Sequence, residues 1–263
     1  MSGLITSRFA GMGRGMRASG GDILQNPDFY TDPHAIALYR YEKNHLTRDS
    51  TGHGNTLSSL PDETTTRKEG RGAANFVKAS LQYQTIADAA LSAGYPGKSG
   101  DATKKITICW WMYPIALVGG TYYMVYQKGN YAASPNGKIS WFCRVIQTAI
   151  RWGVSVDGST YLETALVCGT VVNQWFHCAI AYDGVTKDLY MRVWDDTGAH
   201  VHDSTSVTAQ APYISDGPVY HGVGNLAGAL GVYLDGIIDE FVVFNSILTS
   251  AQIDKVRNGT YDL

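Results

Sequence analysis

From residue 35 onward, apolar and polar positions fall into short runs separated by turn residues. The runs are IALYRYE, ITICWWMYP, YYMVYQKG, ISWFCRVI, RWGVSVDG, QWFHCAIAYDG, DLYMRVWDD and DGIIDEFVVFN. They are rich in the aromatic and β-branched residues that suit a pleated surface. Asn136-Gly137, Asp157-Gly158, Asp183-Gly184 and Asp235-Gly236 stand between or beside them. Glycine after Asn or Asp admits the left-handed geometry of tight hairpins, so these pairs are expected to be turns. The spacing predicts a β-sandwich. In DLYMRVWDD, Leu189, Met191 and Val193 share one strand face and Tyr190, Arg192 and Trp194 the other. That second face is either a glycan-binding surface or a contact with another subunit.

One helix is expected, in TSAQIDKVRNG. Thr249 and Gln252 form a capping box, Ile253 and Val256 share a face, and Asn258-Gly259 is the stop. TTTRKEGRGAANF and ALSAGYPGKSGDATKK are polar and glycine-bearing and are assigned to surface loops. Residues 1–34 have few periodic apolar positions and many breakers, and are read as an extended arm before a domain spanning 35–263. Arg8, Arg14 and Arg17 make its first half basic, and Phe9 is an apolar position among them. Such a segment is either a floppy terminus or a leash that gains shape on a partner.

Composition narrows the function classes. The chain has 44% hydrophobic and 17% charged residues with a net charge of −2, so no global field draws it to nucleic acid or an anionic membrane. The 17 Tyr and 29 Gly favour strands joined by tight turns. No run approaches the ~18 apolar residues of a membrane helix, and the N-terminus lacks the apolar core of a secretory signal. Neither membrane insertion nor classical secretion is expected. Cys109, Cys143, Cys168 and Cys178 have neither metal-site spacing nor the density of a disulfide scaffold, and are expected to be buried free thiols.

Four fragments in order carry a family resemblance. ALYRYEKNHLTRDSTGHGNTL resembles a first strand followed by an Asp-Ser-x-Gly-x-Gly-Asn loop, and ITICWWMYP a Thr-Ile-x-x-Trp strand ending in proline. NQWFHCAIAYDGVTKDLYMRV is similar to a Trp-x-His-x-Ala-x-x-Tyr-Asp-Gly strand and hairpin, and LDGIIDEFVVFNSILTSAQI to a closing strand and short helix. Together they resemble laminin G-like jelly rolls of the concanavalin A-like lectin/glucanase superfamily, over about residues 35–260. The resemblance implies an all-β sandwich of two antiparallel sheets with the first and last strands side by side. The arm lies outside it.

That superfamily includes glycosidases, whose retaining members need two carboxyl groups about 5 Å apart. The chain has no Glu-x-Asp-x-x-Glu run, and the adjacent Asp239 and Glu240 are expected on opposite strand faces. GYPGKSG lacks the glycines of a phosphate loop, and no G-x-S-x-G or H-E-x-x-H is present. His200 and His202 beside Asp203 are either the start of a metal site or two polar positions by a turn, the blander reading being the default. His177 is expected to be structural. DSTGHGN is the best ion candidate: Asp49 and Asn55 offer hard oxygen ligands for a structural calcium, and Gly52 and Gly54 let carbonyls turn inward. The loop is equally a good turn without an ion. The resemblance adds Asp239 or Glu240 as a further ligand.

Sugar binding would use aromatic faces with polar groups beside them, for which Trp141, Trp152, Trp194, Tyr122, Tyr123, Tyr131 and Tyr220 are available. The sequence therefore favours a non-catalytic structural protein of a larger assembly. Its arm contacts other protein subunits, and its lectin-like domain is displayed on a virion or extracellular surface, as such domains are in many phage virions. A free-standing carbohydrate-binding module is the alternative, and a polysaccharide is a candidate partner in either case.

Overall fold

The computed structural model of the chain describes residues 32–58, 61–102, 104–130, 138–195, 201–207, 212–226 and 229–259. Arg8, Phe9, Arg14 and Arg17 of the expected arm, the Asn136-Gly137 pair and His200 lie outside these residues. The strands, in order, are β1 (Ala35–Tyr39), β2 (Asp62–Thr64), β3 (Ala73–Phe76), β4 (Gln84–Ile86), β5 (Lys105–Pro114), β6 (Tyr123–Asn130), β7 (Lys138–Ile146), β8 (Ala149–Ser155), β9 (Tyr161–Val167), β10 (Phe176–Asp183), β11 (Asp188–Asp195), β12 (Val201–Val207), β13 (Val219–His221), β14 (Val223–Leu226), β15 (Ala229–Tyr233) and β16 (Gly236–Phe244), followed by helix α1 (Ser250–Arg257). No helix among the described residues is long and apolar enough to cross a membrane.

Two large antiparallel sheets face each other. One runs β12-β11-β10-β5-β16-β3-β2, with β1 also paired to β16; the other runs β4-β13-β6-β7-β8-β9. The first and last long strands are indeed neighbours, Leu38 opposite Val242 and Tyr39 opposite Phe241. Between the sheets lies an aromatic core that includes Trp110, Trp141, Trp152, Tyr126 and Phe241. The alternation in β11 holds: Leu189, Met191 and Val193 enter this core, while Tyr190, Arg192 and Trp194 are half-buried on the outer face. β5 instead is buried on both faces, as its nearly unbroken apolar run requires. Its outer residue Cys109 packs with Ala179, Val242 and Phe244 under Leu248 and Ile253. The helix therefore covers one end of the outer sheet face.

The expected capping box is present: the Thr249 hydroxyl accepts from the Gln252 backbone N–H at 3.3 Å, and the Thr249 N–H donates to Gln252 Oε1 at 2.9 Å. All four cysteines are buried and free. Burial pushes their thiols up, Cys168 to about 11.

Several sequence expectations are corrected. GAANF is not a surface loop: Ala73, Ala74 and Phe76 are buried, and Ala74–Phe76 pair with β16. Within the second loop-like segment Tyr95 is fully buried, and Gly97 lies so close to Trp141 that a Cβ would sit 2.5 Å from its ring. Charged and glycine neighbours masked short apolar stretches that long-range packing recruits. Gly158 does take the left-handed form (φ 91°). In the next hairpin that role passes to Lys187 (φ 67°), and Gly184 instead permits close approach to Lys104, whose carbonyl oxygen is 2.8 Å from where a Cβ would be. Finally, Glu240 has φ 47° and the register with β5 shifts between Asp239 and Val242. This bulge breaks simple alternation, so that Ile238 and Phe241, three apart, both enter the core.

Candidate functional site

β4 is an edge strand of the six-stranded sheet, paired to β13 with Thr85 opposite Tyr220 and Ile86 opposite Val219. β14 and β15 form a separate hairpin. It is tied to β6 by Gln127, whose side-chain amide donates to the Asn225 carbonyl at 3.1 Å and the Gly129 carbonyl at 2.6 Å. Gly224 makes that approach feasible, since a Cβ there would lie 2.7 Å from Met124 Cε. A surface cleft of about 580 Å³ results, lined among others by Ser58, Tyr83, Thr85, Tyr220, Asn225 and Leu230.

The Tyr83 and Tyr220 rings are 6.5 Å apart and tilted by 52°. Tyr220 Oη donates to Asn130 Oδ1 at 2.9 Å and accepts from Asn225 Nδ2 at 3.5 Å. Burial raises the Tyr220 phenol above its ordinary pKa, so at neutral pH it keeps the proton that this chain of bonds uses. Because Asn225 turns its amide nitrogen to Tyr220, its Oδ1 is left over. That atom is buried and has no hydrogen-bond partner among the described residues. A buried acceptor without a donor is destabilising by about 1–3 kcal/mol. Among the described residues the lining contains hydroxyls, an amide, aromatic rings and aliphatic walls but no charged side chain, which equips it for binding.

The residues singled out from sequence are placed elsewhere. Asp49 and Asn55 meet in one loop, but Asp49 is already filled. Its Oδ1 accepts from the Leu38 and Thr51 N–H groups at 3.1 and 3.0 Å and from the Thr51 hydroxyl at 2.7 Å, and its Oδ2 accepts from the Asn55 N–H at 3.0 Å. Asn55 Oδ1 accepts from the Ser92 N–H at 2.7 Å. The donated hydrogens point at the oxygens a cation would need, so the loop as folded does not fit calcium. Asp239 is fully buried and accepts from the backbone of Lys68, Glu69 and Glu240. Burial, reinforced by Glu240, raises its pKa well above the usual carboxylate range. Glu240 pairs with Arg40 at 3.6 Å. Among the described residues no group of three or more His, Cys, Asp or Glu side chains is gathered as metal ligands.

The outer face of β11 meets the molecule's own helix. Arg192 bridges Asp203 at 2.6 Å and Asp254 of α1 at 2.7 Å, and Tyr190 Oη donates to Asp203 and touches Ser250. Trp194 lies under the Arg257 guanidinium at 4.3 Å, with Lys68 at 5.7 Å. His177 is buried against Trp111, its pKa lowered to about 3 by burial and by Arg257, Lys68 and Arg192. His202 pairs with Asp195 at 3.6 Å. Tyr220 was among the aromatics named from sequence; Tyr83 and Asn225 were missed. The available signal was a tyrosine beside the alternating segment YQTI and an Asn after Gly in a strand, which local patterning does not single out.

A profile described as the concanavalin A-like lectin/glucanases superfamily matches residues 83–254. No curated protein matches the chain by sequence. Among solved structures, the botulinum neurotoxin type G receptor binding domain is similar with a TM-score of 0.59 at 13% identity, over 86% of this chain and 51% of that one. The botulinum neurotoxin serotype D ligand binding domain, solved in complex with N-acetylneuraminic acid, gives 0.58 at 12%, again over 86% and 51%. The chain thus spans about half the length of these domains, and the likeness is one of fold.

Proposed function

The chain belongs to the concanavalin A-like lectin/glucanases superfamily, and from that membership we propose that it is a non-catalytic carbohydrate-binding domain whose site is the Tyr83–Tyr220 cleft. The observation that carries the reading is the Tyr83–Tyr220 ring pair beside the hydroxyls and the amide that line the cleft. Pyranose rings present C–H faces to aromatics and hydroxyls to amides, and this cleft offers both partners at once. Catalysis has no support there. Retaining glycoside cleavage needs two carboxyl groups about 5 Å apart, and no carboxylate lines the cleft. The serotype D neurotoxin domain, in complex with N-acetylneuraminic acid, supports the reading only as an example of a glycan bound by a protein that contains this fold.

The test is a glycan array followed by titration of the best ligand. Tyr83→Ala is expected to weaken binding roughly tenfold or more, the equivalent of ~1.4 kcal/mol, with the melting temperature nearly unchanged because Tyr83 is only half-buried. Undiminished affinity in that variant would remove the cleft from consideration.

The finer part of the proposal concerns where the domain works. Residues 1–34, with Arg8, Phe9, Arg14 and Arg17, join other protein subunits of a larger assembly, and the jelly roll is displayed on a virion or extracellular surface. Arm composition supports this: a segment of that length reaches roughly 110 Å when extended, and its arginines pair well with carboxylates on a partner. Deleting residues 1–30 is expected to leave a folded domain that no longer co-sediments with its assembly. Co-sedimentation of the shortened protein would contradict it.

A further inference from the structure

We propose that the cleft selects neutral saccharides and excludes carboxylated ones, an inference that rests on the glycan-binding reading above. The first ground is charge. Among the described residues no charged side chain lines the cleft. Two charged pairs stand on adjoining segments. Asp88 stands in the turn between Ala87 and Ala90, both of which line the cleft, but its carboxylate turns inward to Lys128 Nζ at 2.8 Å. Lys128 has no exposed surface, so no ligand reaches it. Lys138 is paired with Asp216 at 2.8 Å.

The second ground is desolvation. A carboxylate placed against Ile86, Leu230 and two tyrosine rings would lose water without gaining a cation, which is far more unfavourable than the same step for a hydroxyl. Two cations, Lys68 and Arg257, lie over Trp194 on the opposite sheet's outer face. Binding there would be blind to changes at Tyr83.

The experiment uses the full chain at about 0.15 M salt and titrates hexose oligomers against hexuronate oligomers of the same linkage. The hexose form is expected to bind at least tenfold more tightly, a difference of ~1.4 kcal/mol. Asn225→Leu is expected to lower hexose affinity tenfold. Thr56→Lys, at an exposed lining position, is expected to raise hexuronate affinity without altering the fold. Tighter hexuronate binding that disappears in Tyr83→Ala would overturn the selectivity and leave the glycan site standing. Hexuronate binding unaffected by Tyr83→Ala, with no hexose binding, would contradict both. Absence of binding to every saccharide would end the glycan reading and this inference with it.

Discussion

Lys128→Ala is expected to lower the unfolding free energy by about 3–5 kcal/mol, the penalty for removing one member of a buried ion pair. Lys128 is fully buried, and its ammonium donates to Asp88 Oδ1 and to the Ser215 carbonyl, each at 2.8 Å, and to the Gly217 carbonyl. Burial lowers its pKa, while Asp88 and Asp216 oppose that shift. The charge is therefore tolerated only because three oxygens surround it. Removing it leaves the Asp88 carboxylate the Ser99 N–H, at 3.1 and 3.3 Å, but no cation, and takes the lysine donor from two carbonyls. These same groups belong to segments that reach the cleft, through Ala87 and Ala90 on one side and Pro218 on the other. A double variant, Lys128→Ala with Asp88→Asn, is expected to recover part of the loss, because neither charge is then left alone. Chemical denaturation of the four proteins of the cycle measures the coupling; a loss below about 1 kcal/mol in the single variant would contradict the account of this lysine as the clamp.

Acid is the second large perturbation. His221 and His177 are buried, and burial lowers both from 6.5 to about 3. A histidine with its folded pKa below its unfolded one binds a proton more readily after unfolding. The stability it contributes is complete above pH 6.5 and is lost as pH falls toward 3. Each such group adds a slope of about 1.4 kcal/mol per pH unit within that window. Two of them are expected to remove on the order of 5 kcal/mol between pH 6 and 4. His221 Nδ1 lies 3.1 Å from Tyr41 Oη, and its ring is 4.4 Å from Phe241 and 5.2 Å from Tyr39. His221→Phe keeps a ring among these aromatics and takes away the proton. Its unfolding free energy is expected to be less pH-dependent by about one proton's slope, measured by urea denaturation at a series of pH values. An unchanged slope would mean that His221 is protonated in the folded protein.

Much of the fold was legible because the sheets rest on local patterns. The alternation of DLYMRVWDD, the Asp157-Gly158 turn and the Thr249–Gln252 capping box depend on residues within a few positions of one another, and each folds as its pattern predicts. What escaped depends on distant partners. Ala73–Phe76 becomes a buried strand because β16 offers it an edge, and nothing within the segment announces that edge. The left-handed Glu240 spoils a parity argument that assumed a regular strand. Parity did place Tyr190, Arg192 and Trp194 together, yet it could not say that helix α1 would supply Asp254 and Arg257 to them. The cleft is the extreme case, since Tyr83, Tyr220 and Asn225 come from an edge strand's flank, an inner strand and a hairpin. Of these only Tyr220 was among the aromatics singled out from the sequence, although Tyr83 is a residue of the same kind.

A crystal structure of the full chain with the tightest hexose oligomer from the titrations shows directly whether a neutral saccharide stacks on the tyrosines. A sugar ring in van der Waals contact with Tyr83 or Tyr220 is expected, with its hydroxyls about 2.7–3.0 Å from polar atoms of the cleft lining. A sugar seated instead on the outer sheet face near Trp194, with the cleft holding only solvent, would contradict it.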